Sequence, residues 1–426
     1  MNNSASLSNF KYLRDLKKEN LEKQYSQGLD TSYIAKFSIY SNATILPFKK
    51  NSDFNGLGGV VDENNCFIEL SAEKFASGKY EFNNVTHRKE RVCYCGHMIH
   101  QWGHFLMDSI SRIWYCLKND DTVDKYVFFS AEGDSIQLNG NYRNFFELLG
   151  IWDKIEIINK PTAFSEVIIP EKGFVGGEYF ASNFLEVFDK ISENITIDPN
   201  WNTYKKIYFT RKAYSKALCS DLGIEMLDNY FEKNGFTLVS PERLSLSEMI
   251  YLIRNAEVVA SISGSVCHNM LFAKNNQELI ILERTILNND YQIGVNIARE
   301  LKTTIIDSNI AIYPVEIGFG PFIITYTGKL QEFTEDNHWL APDEVYTNDK
   351  YLIKLFKAYM KQYKRNYQDR WILEEWMIPH INYLREAYKE SEERFAEYLQ
   401  GSKPYKLSQY FSIGFIKYVL RRILKR

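Results

Sequence analysis

One stretch in the second half of the sequence limits most strongly what this chain of 426 residues can fold into. Residues 256–283, AEVVASISGSVCHNMLFAKNNQELIILE, predict a buried strand over 257–262, a turn of small residues, a helix through Phe272 and a second strand over 278–282. A strand rich in Val and Ile, followed by a small-residue loop that opens a helix, is typical of a βαβ unit in an open parallel sheet. In such folds ligands bind beyond the carboxyl ends of the strands.

The turn in this stretch, Ser263, Gly264 and Ser265, has the composition of an anion site. Backbone N–H groups are free at the start of a helix, where the helix dipole also favours a negative charge. Gly264 would let a phosphate approach closely, and the two hydroxyls can cap the helix or donate hydrogen bonds. We therefore predict a diphosphate site here. The alternative is an ordinary βα turn with a serine cap, which opens many helices.

Charged residues that follow other strands of the same half are further candidates for this site. Arg211 and Lys212 come directly after the predicted strand KKIYFT, and a strand that ends in two cations can place them over a phosphate pair. Glu283 ends the last strand of the stretch and could accept hydrogen bonds from a ribose diol. The alternatives are a solvated βα corner for the two cations and a surface position for the carboxylate.

A second candidate site lies in the first half, in the segment THRKERVCYCGHMIHQWGHFLMDSISRIWY, residues 86–115. A helix is predicted from Gly103 onward, and His104, Asp108 and Arg112 would form one polar stripe because they are spaced i, i+4, i+8. A carboxylate one turn from an imidazole orients the ring and raises its basicity, as in a general base. The pattern leaves open which of His104 and Asp108 takes the proton. It also leaves open a solvated helix face with an incidental ion pair.

Three histidines in this segment, His97, His100 and His104, have the close spacing of zinc ligands. Gly103 interrupts the helix between them, and no fourth ligand follows at a suitable spacing, so we predict no metal and no bound cofactor. The net charge of −3 supplies no field for nucleic acid, which we exclude as a partner.

Composition and segment boundaries predict a cytoplasmic protein of several parts. Cys93 and Cys95 lie too close for a metal knuckle and the other four cysteines are scattered, which indicates reduced thiols. The polar start predicts no signal peptide, and no apolar run reaches the length of a membrane span. The polar stretch ENITIDPNW marks the main domain boundary. The predicted parts are a helical lead over 1–42, two α/β domains over 43–195 and 196–330, a helical extension over 331–404 and a basic tail over 405–426.

The tail, YKLSQYFSIGFIKYVLRRILKR, differs from the rest of the chain because no acidic residue follows Glu397. On a helix, its apolar residues share one face and its basic residues the opposite face. The apolar set is Phe411, Phe415, Ile416, Val419, Leu420 and Ile423, and the basic set is Lys417, Arg421 and Lys425. This pattern predicts an amphipathic helix that lies on an anionic membrane surface. The alternative is a helix packed on the body of the protein or on a partner subunit.

Several of these segments together resemble the family 61 glycosyltransferases. QWGHFLMDSISRIW is similar to that family's motif of an aromatic residue followed by Gly-His-Phe-Leu-x-Asp, and KKIYFTRK resembles its strand that ends in an arginine. The segment from GFTLVS to LIILE resembles the donor half, including the loop glycine, Asn269 and Glu283. The similarity is colinear from about residue 55 to about residue 310.

This resemblance implies an α/β fold of the GT-B type, in which two Rossmann-like domains face a cleft, with the C-terminal helices as an extension. It implies inverting, metal-independent transfer from a nucleotide sugar, which we expect to be UDP-linked, to a glycan or lipid-linked glycan acceptor in surface polysaccharide biosynthesis (capsule or O-antigen). The 43–195 domain would bind the acceptor and the 196–330 domain the donor. With the basic tail, we expect the enzyme at the inner face of the cell membrane.

The resemblance also assigns roles to residues. His104 and Asp108 would be catalytic, and the remaining candidates would bind the donor: Arg211, Lys212, Ser263, Gly264, Ser265, His268, Asn269 and Glu283. One position departs from the pattern, because many members have a histidine where this chain has Ser263, and His268 is the nearest histidine here. Two alternative functions are a nucleotide-sugar epimerase of GT-B fold and a non-catalytic scaffold of a polysaccharide assembly complex.

Overall fold

Two large sheets, each built mainly from one half of the chain, form the centre of the fold. The computed structural model describes residues 8–51, 55–214, 220–316, 318–368 and 377–386. The predicted amphipathic tail and residues 369–376 and 387–404 of the predicted helical extension lie outside the described residues. None of the helices within these ranges is both long enough and apolar enough to cross a lipid bilayer.

The first sheet, which we call the N-terminal sheet, has seven strands and a parallel centre. Its four parallel strands lie side by side in the order Ile155–Ile158, Lys125–Phe129, Thr86–His97 and Thr162–Pro170. The antiparallel strands beyond Thr162–Pro170 are Phe37–Ser41, Thr44–Lys50 and Gly56–Val61. The first parallel strand of the chain therefore lies between the second and the fourth. Such a reversal of strand order is a topological switch point, where open α/β sheets bind their ligands.

The strand Thr86–His97 was not predicted from the sequence, although it lies at the centre of this sheet. Its first half is charged and partly exposed, and Arg88 there pairs with Glu90 and Glu156. Its second half, from Val92, is buried. The strand thus extends from the rim into the core, and the charged first half hides the alternation that would identify a strand.

The second sheet, which we call the C-terminal sheet, has six strands, and all of them are parallel. In spatial order they are Ser8–Asn9, Lys302–Asp307, Glu278–Glu283, Val258–Ile262, Lys206–Phe209 and Thr237–Val239. The predicted βαβ pairing of the two strands within 256–283 is confirmed. The switch point lies between Lys206–Phe209 and Val258–Ile262, because the chain runs to opposite sides of the sheet from there.

Helices cover both sheets, and two of the predicted helices differ from the observed ones. Leu246–Asn255 has the predicted bounds, and its cap Ser245 accepts the N–H of Glu248. The helix after Gly264 is a 3₁₀-helix, Cys267–Phe272, rather than an α-helix. The predicted helix from Gly103 is divided into Trp102–His104, the π-helix Phe105–Ser109, the 3₁₀-helix Ile113–Tyr115 and Cys116–Asn119. The other long helices are Asp15–Gln27, Asn141–Leu149, Ser182–Glu193, Ile224–Lys233, Asp290–Ala298, Gly328–Asp336 and Asp349–Tyr367.

The N-terminal segment contributes to both sheets. Ser8–Asn9 forms an edge strand of the C-terminal sheet, and the helix Asp15–Gln27 packs beside it through an ion pair between Lys17 and Glu283. Phe37–Ser41 instead pairs with Thr162–Pro170 of the N-terminal sheet. The predicted lead therefore ties the two halves together.

Candidate functional site

The loops that follow the two switch points contact each other directly. Nε2 of Gln101, in the loop after Thr86–His97, donates to Oγ of Ser265 over 3.0 Å. Nε1 of Trp102 donates to Oδ1 of Asn269 over 2.7 Å. A Cβ atom on Gly103 would lie 2.6 Å from Oγ of Ser265, so this close approach requires a glycine. The two stretches that the sequence singled out separately therefore form one site between the sheets.

His104 and Asp108 form the predicted pair on the N-terminal side of this site. Nδ1 of His104 lies 2.6 Å from Oδ2 of Asp108. The hydroxyl of Tyr291, from the C-terminal half, lies 2.9 Å from Oδ1 and 2.8 Å from Oδ2 of the same carboxylate. The pair lies where the chain enters the π-helix, a rare form that is frequent at functional sites. The His104 side chain keeps 31% of its surface exposed, so the imidazole is accessible to solvent.

Arg112 does not extend this pair, and the predicted three-residue stripe is wrong at that position. The Arg112 side chain is buried, where Nε donates to Oε1 of Glu73 over 2.8 Å and the other nitrogens donate to the carbonyls of Pro170 and Leu70. The i→i+5 bonding of the π-helix changes the turn angle per residue, so Arg112 leaves the face that carries His104. Arg112 instead anchors this segment to the N-terminal sheet.

The three histidines of the segment have different surroundings. His97 stacks between the rings of Phe48 and Phe129, and burial lowers its pKa to about 4. His100 lies 3.9 Å from the carboxylate of Glu132. Within the described part of the chain, no group of three or more His, Cys, Asp or Glu side chains is arranged to hold a metal ion.

Two arginines converge on Gly264 at the C-terminal side of the site. Nε of Arg211 lies 3.1 Å from Oδ2 of Asp221, and Nη1 of Arg284 lies 2.8 Å from Oδ1 of the same carboxylate. The Asp221 side chain is completely buried, and the two guanidinium side chains are 15% and 11% exposed. Burial lowers the pKa of Arg211, since a charged group loses solvation. One carboxylate faces two cations, so the cluster keeps a positive charge.

Gly264 leaves the space in front of these arginines open. Its φ angle is +133°, which favours glycine, and a Cβ atom there would lie 3.1 Å from Nη2 of Arg284 and 3.5 Å from Nη1 of Arg211. Arg284 was missed in the sequence analysis. Arg284 could have been identified from its position directly after the strand Glu278–Glu283. Arg211 has a similar position, two residues after the strand Lys206–Phe209.

The remaining residues of the loop make hydrogen bonds within the C-terminal half. Oγ of Ser263 accepts the N–H of Arg284 over 3.3 Å, and the amide of Asn269 also donates to the carbonyl of Val266. His268 is buried, with Nδ1 2.9 Å from Oε1 of Gln292, and burial lowers its pKa to about 4. Because the following helix has only six residues and is a 3₁₀-helix, its dipole is short. The positive charge near the loop therefore comes mainly from the arginines.

Two of the predicted donor residues lie apart from this cluster. Oε2 of Glu283 accepts from Nζ of Lys17 over 2.9 Å, and both side chains are buried. Its carboxylate therefore pairs with the N-terminal helix. Lys212 has an exposed side chain, and its charge acts on Asp228, whose pKa it lowers against the larger effect of burial.

Comparison with known families gives one match. The family model described as Glycosyltransferase 61 matches residues 102–280, somewhat less than half of the chain. The matched range contains His104, Asp108, Arg211 and the loop 263–269, while Arg284 and Tyr291 lie beyond it. A comparison with curated proteins gives no match. The family match supports glycosyltransferase activity, and the mixed α/β fold is consistent with an α/β glycosyltransferase.

Proposed function

We propose that this protein is an inverting glycosyltransferase that transfers a sugar from a nucleotide-sugar donor to a hydroxyl of a glycan or lipid-linked glycan acceptor. One observation carries the proposal: the loop with the His104–Asp108 pair and the loop at the Arg211–Arg284 cluster contact each other through Gln101 and Ser265. Inverting transfer needs a base for the acceptor and positive charge for the leaving diphosphate at one site.

His104 acts as the base in this mechanism, and Asp108 orients it. The Asp108 oxygens accept from Nδ1 of His104 and from the Tyr291 hydroxyl, so Nε2 of His104 carries the lone pair. Nε2 takes the proton of the acceptor hydroxyl while the acceptor oxygen attacks the anomeric carbon of the donor. The bond between that carbon and the diphosphate oxygen breaks on the opposite face, so the configuration at the carbon inverts.

Arg211 and Arg284 stabilise the negative charge that develops on the leaving diphosphate. Guanidinium groups bind phosphate through paired hydrogen bonds and keep their charge when partly buried. Asp221 holds both before the donor arrives, so little reorganisation accompanies the reaction. In this scheme the two arginines do the work that a divalent cation does in metal-dependent transferases.

The two sheets are consistent with a GT-B arrangement, in which the N-terminal sheet serves the acceptor and the C-terminal sheet the donor. We expect a UDP-linked donor and a role in the assembly of a surface polysaccharide such as capsule or O-antigen. An enzyme that acts on a lipid-linked acceptor gains from binding to the inner face of the membrane, and the basic tail over 405–426 would provide that contact.

A thermal-shift panel of nucleotide sugars tests the donor class. A ligand that binds only the folded protein raises the melting temperature in proportion to RT ln(1 + [L]/Kd). We expect UDP-linked sugars to raise it, and Arg211→Met to reduce the rise. Incubation with the selected donor and acceptor glycans should then release UDP and give a product of inverted anomeric configuration. A donor that binds without transfer, hydrolysis or epimerisation would indicate a scaffold, and release of an epimerised nucleotide sugar would indicate an epimerase.

A further inference from the structure

Tyr291 lies at the junction of the two halves, beyond the range that matches the family model. It is the second residue of the helix Asp290–Ala298, and its hydroxyl lies 2.8–2.9 Å from both carboxylate oxygens of Asp108. Its ring contacts that of His104 edge-on, with centroids 5.8 Å apart, and the ring of His268 at 6.0 Å. The side chain thus touches both members of the proposed pair from the donor side.

The hydrogen bonds around Tyr291 have a fixed direction. Nζ of Lys74 lies 2.9 Å from the Tyr291 hydroxyl and 4.8 Å from the ring centroid. An ammonium group only donates, so the tyrosine oxygen accepts from Lys74 and its own proton points to Asp108. The carboxylate only accepts, so His104 must donate from Nδ1. The chain from Lys74 through Tyr291 to Asp108 therefore selects the tautomer of His104 in which Nε2 is unprotonated.

We propose that Tyr291 is a positioning residue for the His104–Asp108 pair, and that Lys74 supports it. This inference rests on the proposed function for its catalytic meaning. Tyr291 holds the Asp108 carboxylate, and through it keeps the His104 imidazole in the orientation and tautomer of a base. The Tyr291 hydroxyl also donates to the negative charge of the Asp108 carboxylate, which then stabilises the His104 imidazolium ion less. Because Tyr291 belongs to the C-terminal half, the pair is complete only when the two halves are in contact.

Burial keeps Tyr291 suited to this role. Burial, and then the neighbouring Asp108 carboxylate, raise the pKa of Tyr291, so the hydroxyl remains a donor at all working pH values. Other charged or titratable groups near the pair and Tyr291 are Lys74, Asp290, His97 and His268. Both histidines have pKa values lowered to about 4 by burial, so they stay neutral near pH 7.

The first experiment measures the pair without any substrate. The imidazole signals of protein labelled on the histidine rings are followed by NMR from pH 5 to pH 9, and the His104→Gln variant assigns the His104 signal. Tyr291→Phe removes the donor to Asp108, so the carboxylate stabilises the imidazolium more strongly. We expect the His104 signal of this variant to titrate at higher pH than that of the unchanged protein. Lys74→Met should give a smaller shift. An unchanged titration of His104 in Tyr291→Phe would overturn the proposal.

The matched control is Tyr33→Phe, because the Tyr33 hydroxyl also donates to a carboxylate, that of Glu171, over 2.7 Å. It should leave the His104 titration unchanged. A similar shift in both variants would mean a general effect on stability, and would also overturn the proposal. Melting temperatures of both variants check that the fold is retained.

The second experiment uses turnover with the donor that the thermal-shift panel selects. Tyr291→Phe should lower kcat about tenfold, the rate equivalent of one lost hydrogen bond to a charged group, and should move the acidic limb of the kcat profile to higher pH. The donor KM should stay within about twofold, since Tyr291 is outside the arginine cluster. If no donor is found, the proposed function fails, while the NMR titration still decides the role of Tyr291.

Discussion

The two sheets of this protein both have a topological switch point, but the residues beyond the two switch points differ in their chemistry. Each has a switch point, and in each the loop beyond it carries functional candidates: His104 and Asp108 after Thr86–His97, and Gly264 after Val258–Ile262. The N-terminal sheet is mixed and delivers a titratable pair, while the C-terminal sheet is wholly parallel and delivers permanent cations. The topology therefore determines where a site lies, and the residues after the strand ends determine what it does.

The two sides of the site also differ in their contact with solvent. The His104 and Asp108 side chains are 31% and 17% exposed, whereas Asp221 in the arginine cluster is fully buried. A base must be reached by an acceptor, so partial exposure suits the pair. A cluster that stabilises developing charge gains from burial, because its dipoles and charges are then held before the reaction. Changes on the two sides should therefore affect different kinetic parameters.

The largest expected effect comes from the N-terminal side. His104→Ala should lower kcat by roughly 10²- to 10⁴-fold and leave nucleotide binding unchanged, because the variant loses the base and keeps the arginines. Steady-state kinetics and calorimetric titration with UDP measure the two quantities. His100→Ala is the matched control, since His100 lies on the same loop and pairs with Glu132 instead. A His104→Ala enzyme with near-normal kcat would remove the pair from the mechanism.

Substitutions on the C-terminal side of the site should change the affinity for UDP. Arg211→Met should weaken the binding of UDP by about tenfold to a hundredfold, equivalent to one charge-assisted hydrogen bond of roughly 1.5–3 kcal/mol. Lys212→Met should change it little, because Lys212 is exposed and its charge acts on Asp228. Gly264→Val should block binding by bulk at the arginines. Equal effects of the Arg211 and Lys212 substitutions in calorimetry would contradict the site.

Two buried histidines, one in each half, allow a comparison of stability with pH. His97 and His268 have pKa values lowered to about 4, against about 6.5 in the unfolded chain. Between these values the unfolded chain binds more protons, so the free energy of unfolding falls as the pH falls through this window. Each of these histidines should lower the free energy of unfolding by roughly 2 kcal/mol between pH 7 and pH 5.

Urea unfolding of His97→Gln and His268→Gln at both pH values measures these contributions, and each substitution should reduce the loss of stability at pH 5. A variant that loses as much stability as the wild type would show that its histidine does not resist protonation in the folded protein. Carboxylates also contribute to the change in the free energy of unfolding with pH. The contribution of each histidine is therefore the difference between the variant and the wild type.

The smallest expected effect on activity comes from the tail. Removal of residues 406–426 should leave turnover on a short soluble acceptor nearly unchanged, since the site between the sheets is retained. It should abolish flotation with anionic liposomes, because each basic residue near such a surface contributes about 1 kcal/mol. High salt should weaken flotation of the full chain. Equal flotation of the full and shortened chains would favour packing of the tail against a partner.

Much of the C-terminal sheet could be predicted from the sequence, whereas the centre of the N-terminal sheet could not. Val258–Ile262 and Glu278–Glu283 are continuous apolar runs, as expected for parallel strands buried on both faces. Thr86–His97 begins with charged residues at the rim of the sheet, so its periodicity is lost. The pairing of His104 with Asp108 was predictable because residues four apart are neighbours on one helical turn.

The sequence alone determined the features that depend on nearby residues: the parallel strands, the glycine loop, Arg211 at a strand end and the His104–Asp108 spacing. Only the tertiary structure decided the partners of the charged residues. Arg112 pairs with Glu73 across 39 residues, Asp108 with Tyr291 across 183, and Glu283 with Lys17 across 266. Sequence periodicity indicates contacts between residues that are close along the chain. The sequence does not show whether a charged residue is exposed to solvent or paired with a buried residue far away in the chain. The tertiary packing of the chain determines which partner each charged residue has.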